Sequence, residues 1–158
     1  MLTSDILIRP AEIGDIPDLM DSGRQFYEYA ELEGKGLNFH PGRFCEHLYT
    51  LMEGRLRCCF VAEKDGEFCG SVAGSVITWF LDNSQYVLTE HWWWVLPEYR
   101  KTEAGKMLRQ QLRAWGQEQG VEFILMSAFP DKRDKAIARM YRGDGLEPFQ
   151  RTFLGRLG

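Results

Sequence analysis

The sequence has four cysteines, Cys45, Cys58, Cys59 and Cys69, but no C-x-x-C pair. Its three histidines, His40, His47 and His91, stand in no zinc-like spacing with them. Neither a bound metal nor a redox dithiol is expected, and the cysteines read as small hydrophobic residues in a reducing compartment. Basic charge is also in deficit. The 19 Lys and Arg residues face 23 Asp and Glu, for a formal net charge of -4. A nucleic-acid binder needs a broad basic face, and adsorption to an anionic membrane needs positive charge, so neither partner is expected. Long apolar runs are missing. The most hydrophobic stretch, Ser71 to Leu81, is far shorter than the roughly 20 residues that span a bilayer. The first ten residues include Asp5 and show no secretory pattern. There is no internal repeat, low-complexity tract or linker. These absences leave a cytoplasmic protein folded as a single domain over residues 1–158.

What is present suffices for one sizeable core: 44% of the residues are hydrophobic and 13% aromatic. Ile6-Leu7-Ile8 reads as a short strand. Asp15 is placed to cap a helix that tolerates Pro17 in its first turn. Ile16, Leu19, Met20, Phe26, Tyr27 and Ala30 recur near helical spacing. Gly34, Gly36, Pro41 and Gly42 interrupt it, and Arg43 to Met52 predicts a second helix. Arg57–Glu63 and Phe68–Phe80 are apolar runs joined by Lys64-Asp65-Gly66-Glu67, a hairpin signal. Asp82-Asn83-Ser84 predicts another turn, and Tyr86–Val95 a third strand ending in Trp92-Trp93-Trp94-Val95. A helix follows from about Ala104 to Gln119, stopped by Gly120. Val121–Phe129 predicts a strand buried on both faces, Asp131–Arg142 a helix, and Phe149–Leu157 a last strand. The order predicts an α/β (α+β) fold: a mixed, mostly antiparallel sheet with helices on both faces.

One segment carries chemistry. Val95-Leu96-Pro97-Glu98-Tyr99-Arg100-Lys101-Thr102-Glu103-Ala104-Gly105-Lys106 joins a strand to a helix. A helix start offers unpaired N–H groups and the positive end of a dipole, which suit an anion. Arg100, Lys101 and Lys106 add cations, and Gly105 permits close backbone approach. Physics alone leaves two readings open, a phosphate site or an ordinary connection with a basic rim.

This run resembles motif A of the GNAT superfamily of acyl-CoA N-acetyltransferases, written Val-x-Pro-x-x-Arg/Gln-x-x-Gly-x-Gly/Ala. Val95, Pro97, Arg100 and Gly105 match it, whereas Glu103 replaces the first loop glycine. Ile8-Arg9 with Asp15, Phe60-Val61-Ala62-Glu63 to Gly70, and Tyr141-Arg142-Gly143-Asp144-Gly145-Leu146 resemble further family segments in the same order. The resemblance implies acetyl-CoA as cosubstrate, entering between two splayed parallel strands, Tyr86–Val95 and Val121–Phe129. It implies that the backbone of Trp93, Trp94 and Val95 holds the pantetheine arm. Arg100, Lys101, Thr102, Ala104, Gly105 and Lys106 would hold the pyrophosphate, and Asp134 would occupy roughly the place of a family asparagine that contacts pantetheine.

The implied reaction moves an acetyl group from CoA to an amine by direct attack in a ternary complex. Tyr141 would protonate the leaving thiolate, a phenol of pKa about 10 serving a thiol of about 8.5. Glu90 or water would act as base, with His91 a neighbouring candidate. The two residues alternate faces on the strand, so at most one points at the substrate. Trp93 is expected on one face of the sheet and Trp92 and Trp94 on the other. A non-catalytic module of the same fold, binding CoA weakly or a protein partner, is the alternative, motivated by Glu103. The acceptor region, Gly34–Arg43 and the second helix, carries Glu31, Glu33 and Glu46. Its acidity favours a cationic acceptor: a small molecule such as a polyamine or aminoglycoside-like amine, or a protein lysine or N-terminus. Homodimers are common in the family.

Overall fold

Asp65 and Gly66 both adopt positive φ, 53° and 82°. That is the backbone a two-residue hairpin turn demands, and it joins β2 (Arg57–Lys64) to β3 (Glu67–Trp79). A computed structural model of the chain describes residues 5–158. Three more strands complete one sheet in the order β1-β2-β3-β4-β5: β1 (Ile6–Pro10), β4 (Asp82–Val95) and β5 (Phe123–Leu125). The first three pairings are antiparallel and β4–β5 is parallel. Helices α1 (Ile16–Tyr29) and α2 (Pro41–Glu53) cover one face, and α3 (Ala104–Glu118) covers the other.

Alternation along the strands builds two cores, one on each face. Leu19, Leu48 and Leu51 pack on Cys59, Val61 and Ala73. Ala104, Leu108 and Leu112 of α3 pack on Cys58, Val72, Leu88 and Val95. The closeness of α3 depends on small residues. A Cβ at Gly116 would lie 2.8 Å from the Leu88 side chain. Burial pushes the Cys58 and Cys59 thiols up to about 12, so both are inert hydrophobes at neutral pH.

The chain divides into two compact units, one ending at Met126 and one running from Ser127 to Gly158. The second contains α4 (Asp134–Gly143), which ends before Gly145 at φ 86°.

Four expectations are corrected. The turn between β3 and β4 is Phe80-Leu81, and Asp82-Asn83-Ser84 lies in β4. There the Asp82 carboxylate accepts from the Ser84 N–H at 3.0 Å and from its hydroxyl at 2.6 Å. The local bend becomes a register shift, with Trp79 opposite Asp82 and Thr78 opposite Tyr86, rather than a chain reversal. Asp15 stands at the N-cap position of α1, but its side chain makes no capping bond there. Arg9 holds its carboxylate with two bonds of 2.7 and 2.8 Å, and the Glu12 N–H supplies a third. The Arg9 guanidinium holds that carboxyl below its usual range. The apolar run Val121–Phe129 yields just three strand residues, paired along one edge to β4, and Phe123 is 54% exposed, so the strand is not buried on both faces. Phe149–Leu157 forms no strand, and its large apolar side chains are exposed. Apolar content makes a strand only where a ladder partner takes its N–H and C=O groups.

Candidate active site

The parallel ladder between β4 and β5 is short: Val87 faces Phe123, Leu88 faces Ile124 and Thr89 faces Leu125. The strand β4 then continues to Val95, still paired with β3, where Gly70 faces Val95. The outer edge of Glu90–Val95 thus carries no strand among the described residues. An open extended edge can take an extended ligand arm as if it were another strand.

A single turn of tighter helix, Pro97–Tyr99, leads from β4 to α3. The Leu96 N–H ties this turn to the Cys69 carbonyl at 2.8 Å. Thr102 performs the capping: its hydroxyl donates to the Tyr99 carbonyl at 2.6 Å and accepts from the Ala104 N–H at 3.3 Å. The first bond of α3 runs from the Met107 N–H to the Glu103 carbonyl at 2.9 Å. Gly105 and Lys106, in the first turn, therefore have no acceptor within the helix for their N–H groups. Lys101 and Lys106 are exposed beside them. The Glu103 carboxylate makes no capping bond and lies 3.9 Å from the Lys106 ammonium, with both side chains more than half exposed.

Four expected cofactor residues, Arg100, Trp94, Trp93 and Gly105, also shape the loop itself. The Arg100 Nε donates to the Val95 carbonyl at 3.1 Å, and its guanidinium lies over the Trp94 ring at 4.6 Å. Trp94 in turn packs edge-on against Phe26 of α1. Trp93 lies on the opposite face, where its Nε1 donates to the Gly105 carbonyl at 3.1 Å. A Cβ on Gly105 would come within 3.1 Å of the Trp93 ring. The glycine thus makes room for an indole that anchors the helix start. Trp92 packs with the α1–α2 side, so the triplet alternates as expected.

Glu90 and His91 straddle an irregularity. Gly74 faces Glu90 and Ala73 faces Trp92, which leaves His91 as an extra, bulged residue. A Cβ on Gly74 would meet Leu112 of α3, so Glu90, directly opposite, belongs to the α3 face. The bulge places His91 on the α2 face with Trp92, rings 6.4 Å apart. The His91 ring stacks on His47 of α2 at 5.6 Å with 17° between planes. Its Nε2 is hydrogen-bonded to the Ser75 hydroxyl on β3. Burial of the stacked faces holds both imidazoles below their ordinary value, with His47 adding to the effect on His91 and Arg57 to the effect on both. Both residues keep solvent exposure. His47 and Ser75 were missed by sequence reasoning, and no local pattern around either of them signals the contact.

On the same side of the sheet, an open hollow of about 550 Å³ lies between α1 and the segment that follows it. Arg24, Tyr27, Glu28, Glu33, Asn38, Phe39 and His40 line it. The Tyr27 hydroxyl donates to the Leu37 carbonyl at 2.8 Å and pins that segment.

In the second unit, the Tyr141 hydroxyl donates to the Ser127 carbonyl at 2.7 Å. Asp134 opens α4 with an exposed side chain. Among the described residues, no three His, Cys, Asp or Glu are grouped to hold a metal, and no helix is long and apolar enough to cross a membrane.

Residues 21–145 match the acetyltransferase (GNAT) family. The chain belongs to that family. This GNAT chain shares its fold with an aminoglycoside acetyltransferase from an uncultured soil metagenomic sample, solved with trehalose. The TM-score is 0.73 at 21% identity, over 100% of both chains. The aminoglycoside N-acetyltransferase AAC(6')-Iy, solved with a bisubstrate analogue joining CoA to monomethyl-acetylneamine, gives 0.76 at 16% identity over 97% of this chain and 98% of that one. A predicted acetyltransferase of Clostridium acetobutylicum, solved with acetyl-CoA, gives 0.71 at 13% identity over 96% of each. No curated protein matches the chain by sequence. The mixed sheet, its parallel β4–β5 pair and its covering helices are those of the GNAT fold.

Proposed function

We infer that this acetyltransferase moves an acetyl group from acetyl-CoA to an amine in a ternary complex, acting in the cytoplasm as one domain over residues 1–158. The observation that carries this reading is the course of β4, which outruns its β5 partner and leads directly into a helix start flanked by lysines. The β4 backbone at Trp93, Trp94 and Val95, beyond the end of the β5 ladder, fits an extended pantetheine arm. The first turn of α3, with Lys101, Lys106 and the Gly105 and Lys106 N–H groups, fits a pyrophosphate. Asp134 is kept as a further pantetheine contact. Acetyl-CoA supplies the acetyl group as an activated thioester.

The chain's own contribution is mainly positioning. A base on or beside β4 removes a proton from the ammonium; Glu90, a water and His91 are the candidates. Tyr141 gives its hydroxyl proton to sulfur. That proton is aimed at the Ser127 carbonyl in the structure, so the hydroxyl must rotate to deliver it. The acceptor is a cationic amine, which suits Glu28 and Glu33 in the hollow beside α1. A polyamine, an aminoglycoside-like amine and a protein lysine share this chemistry.

The test is calorimetric titration with acetyl-CoA, followed by thiol release across an amine panel. Saturable binding and amine-dependent thiol release are expected. No binding at millimolar acetyl-CoA overturns the reading. Glu103 supports a second reading, a non-catalytic module, because its carboxylate engages a cation that a pyrophosphate would use. Binding without thiol release from any amine would select that alternative.

A further inference from the structure

We propose that His91 is the catalytic base of this acetyltransferase, with His47 and Ser75 as positioning residues that hold its ring. The inference rests on the acetyl-transfer reading and specifies which group receives the ammonium proton.

Three observations converge on the α2 face. The bulge at His91 removes this one residue from the ladder exactly where β4 has just lost its β5 partner, a placement that re-aims a side chain. Its ring is then held from two other elements, by stacking on His47 from α2 and by the Ser75 hydroxyl from β3. Lastly, a run of packed aromatic rings links this ring to the hollow, whose lining includes Glu28 and Glu33 beside Arg24. Phe39, in the hollow's wall, packs on Phe44 at 5.5 Å, and Phe44 packs on Trp92 at 5.8 Å, beside His91. Glu90 lies on the opposite face, away from this path.

The protonation state suits the task. The groups facing His91 are His47 from α2, Arg57 from β2 and the neutral Ser75 from β3; burial is the main cause that disfavours the imidazolium, and the protonated form of His47 and the charge of Arg57 add to it. The ring is accordingly neutral at pH 7 and able to accept a proton. Because Ser75 occupies Nε2, Nδ1 is the nitrogen left for the substrate. The step balances as R–NH3+ plus neutral His91 giving R–NH2 plus the His91 imidazolium. The amine lone pair then forms the C–N bond as the C–S bond breaks with its electrons on sulfur. The imidazolium returns its proton to solvent, and the second nitrogen proton leaves as the thiolate is protonated.

The sign of the pH dependence follows. The neutral ring is the active form, so kcat/KM falls as pH drops through the ring's value, which lies below the ordinary 6.5. The experiment measures thiol release from acetyl-CoA with spermidine and with neomycin, from pH 5 to 9, for the wild type, His91→Gln and His47→Gln. His91→Gln should lower kcat about 100-fold and abolish the acid limb. His47→Gln should lower kcat by less than His91→Gln does and move the limb upward, a change that loss of packing alone would not produce. Calorimetric affinity for acetyl-CoA should stay within about twofold of wild type in both variants. A His91→Gln variant that keeps its rate and its limb overturns the proposal. So does a wild type that binds acetyl-CoA but releases no thiol with either amine, whereas failure to bind acetyl-CoA overturns the underlying reading as well. If His91→Gln does not fold, histidine NMR titration of the wild type decides: a His91 ring that does not titrate with the kinetic limb overturns the assignment.

Discussion

The loop after β4 and the histidine pair beside it share a strand but are built in opposite ways. The loop is made from consecutive residues, Val95 to Lys106, and its shape comes from short-range bonds such as those of Thr102 to Tyr99 and Ala104. The histidine pair is assembled from α2, β3 and β4, through a bulge in the last of these. On the proposed reading, this difference makes affinity and proton transfer separable. Loop substitutions should change acetyl-CoA binding and leave the pH profile in place, and histidine substitutions should do the reverse.

The largest effect is expected where the loop is rooted. A Cβ on Gly70 would lie 2.4 Å from the Trp94 carbonyl oxygen and 2.9 Å from the Val95 Cα, both backbone atoms that cannot move aside cheaply. Gly70→Ala should destabilise the fold by about 3 kcal/mol, at the upper end of overpacking costs. Chemical denaturation measures this, and a variant as stable as wild type would show that β3 and β4 can separate at this point. Such separation would make the loop less rigid than its bonds indicate.

A smaller effect tests the division of labour. Replacing Lys101 and Lys106 together by alanine should weaken acetyl-CoA binding about tenfold, equivalent to losing one charge-assisted hydrogen bond. Calorimetry reads the affinity, and the acid limb of kcat/KM should not shift. A moved limb would join the two regions into one electrostatic unit.

The smallest effect concerns Glu103. Its pairing with Lys106 is long and exposed, so it is worth little to stability. Glu103→Gly should tighten acetyl-CoA binding about threefold by removing a like charge and releasing the lysine. Unchanged affinity would mean that the pyrophosphate does not approach this turn.

How much could be read in advance depends on range. The Asp65-Gly66 turn demands positive φ at both positions, and few other dipeptides supply it, so the hairpin was legible. The periodicity of α3 and its stop at Gly120, φ 77°, were legible for the same local reason. Motif A was legible as a string, but the structure gives some of its residues further tasks: Gly105 clears space for Trp93, and Arg100 clamps the loop to Trp94. Tyr141 was placed on its helix correctly, while its bond to Ser127 was not foreseeable. Misreadings arose where a residue type has two uses. Asp15 could cap a helix or bind an arginine, and Arg9 takes it. Asp82 could reverse the chain or bend a strand, and the long ladder between β3 and β4 makes it do the latter.

The sequence by itself determined the four α-helices and the first four strands, the Asp65-Gly66 turn, the alternation of the three tryptophans and the helix-start loop with its lysines. Each of these follows from backbone preferences or side-chain period within a dozen neighbouring residues. The tertiary structure alone decided that β4 outruns β5, that His91 bulges out of its ladder, and that His47 and Ser75 meet it. Those outcomes depend on which strands find partners and which faces pack together, and no local stretch of sequence contains that information.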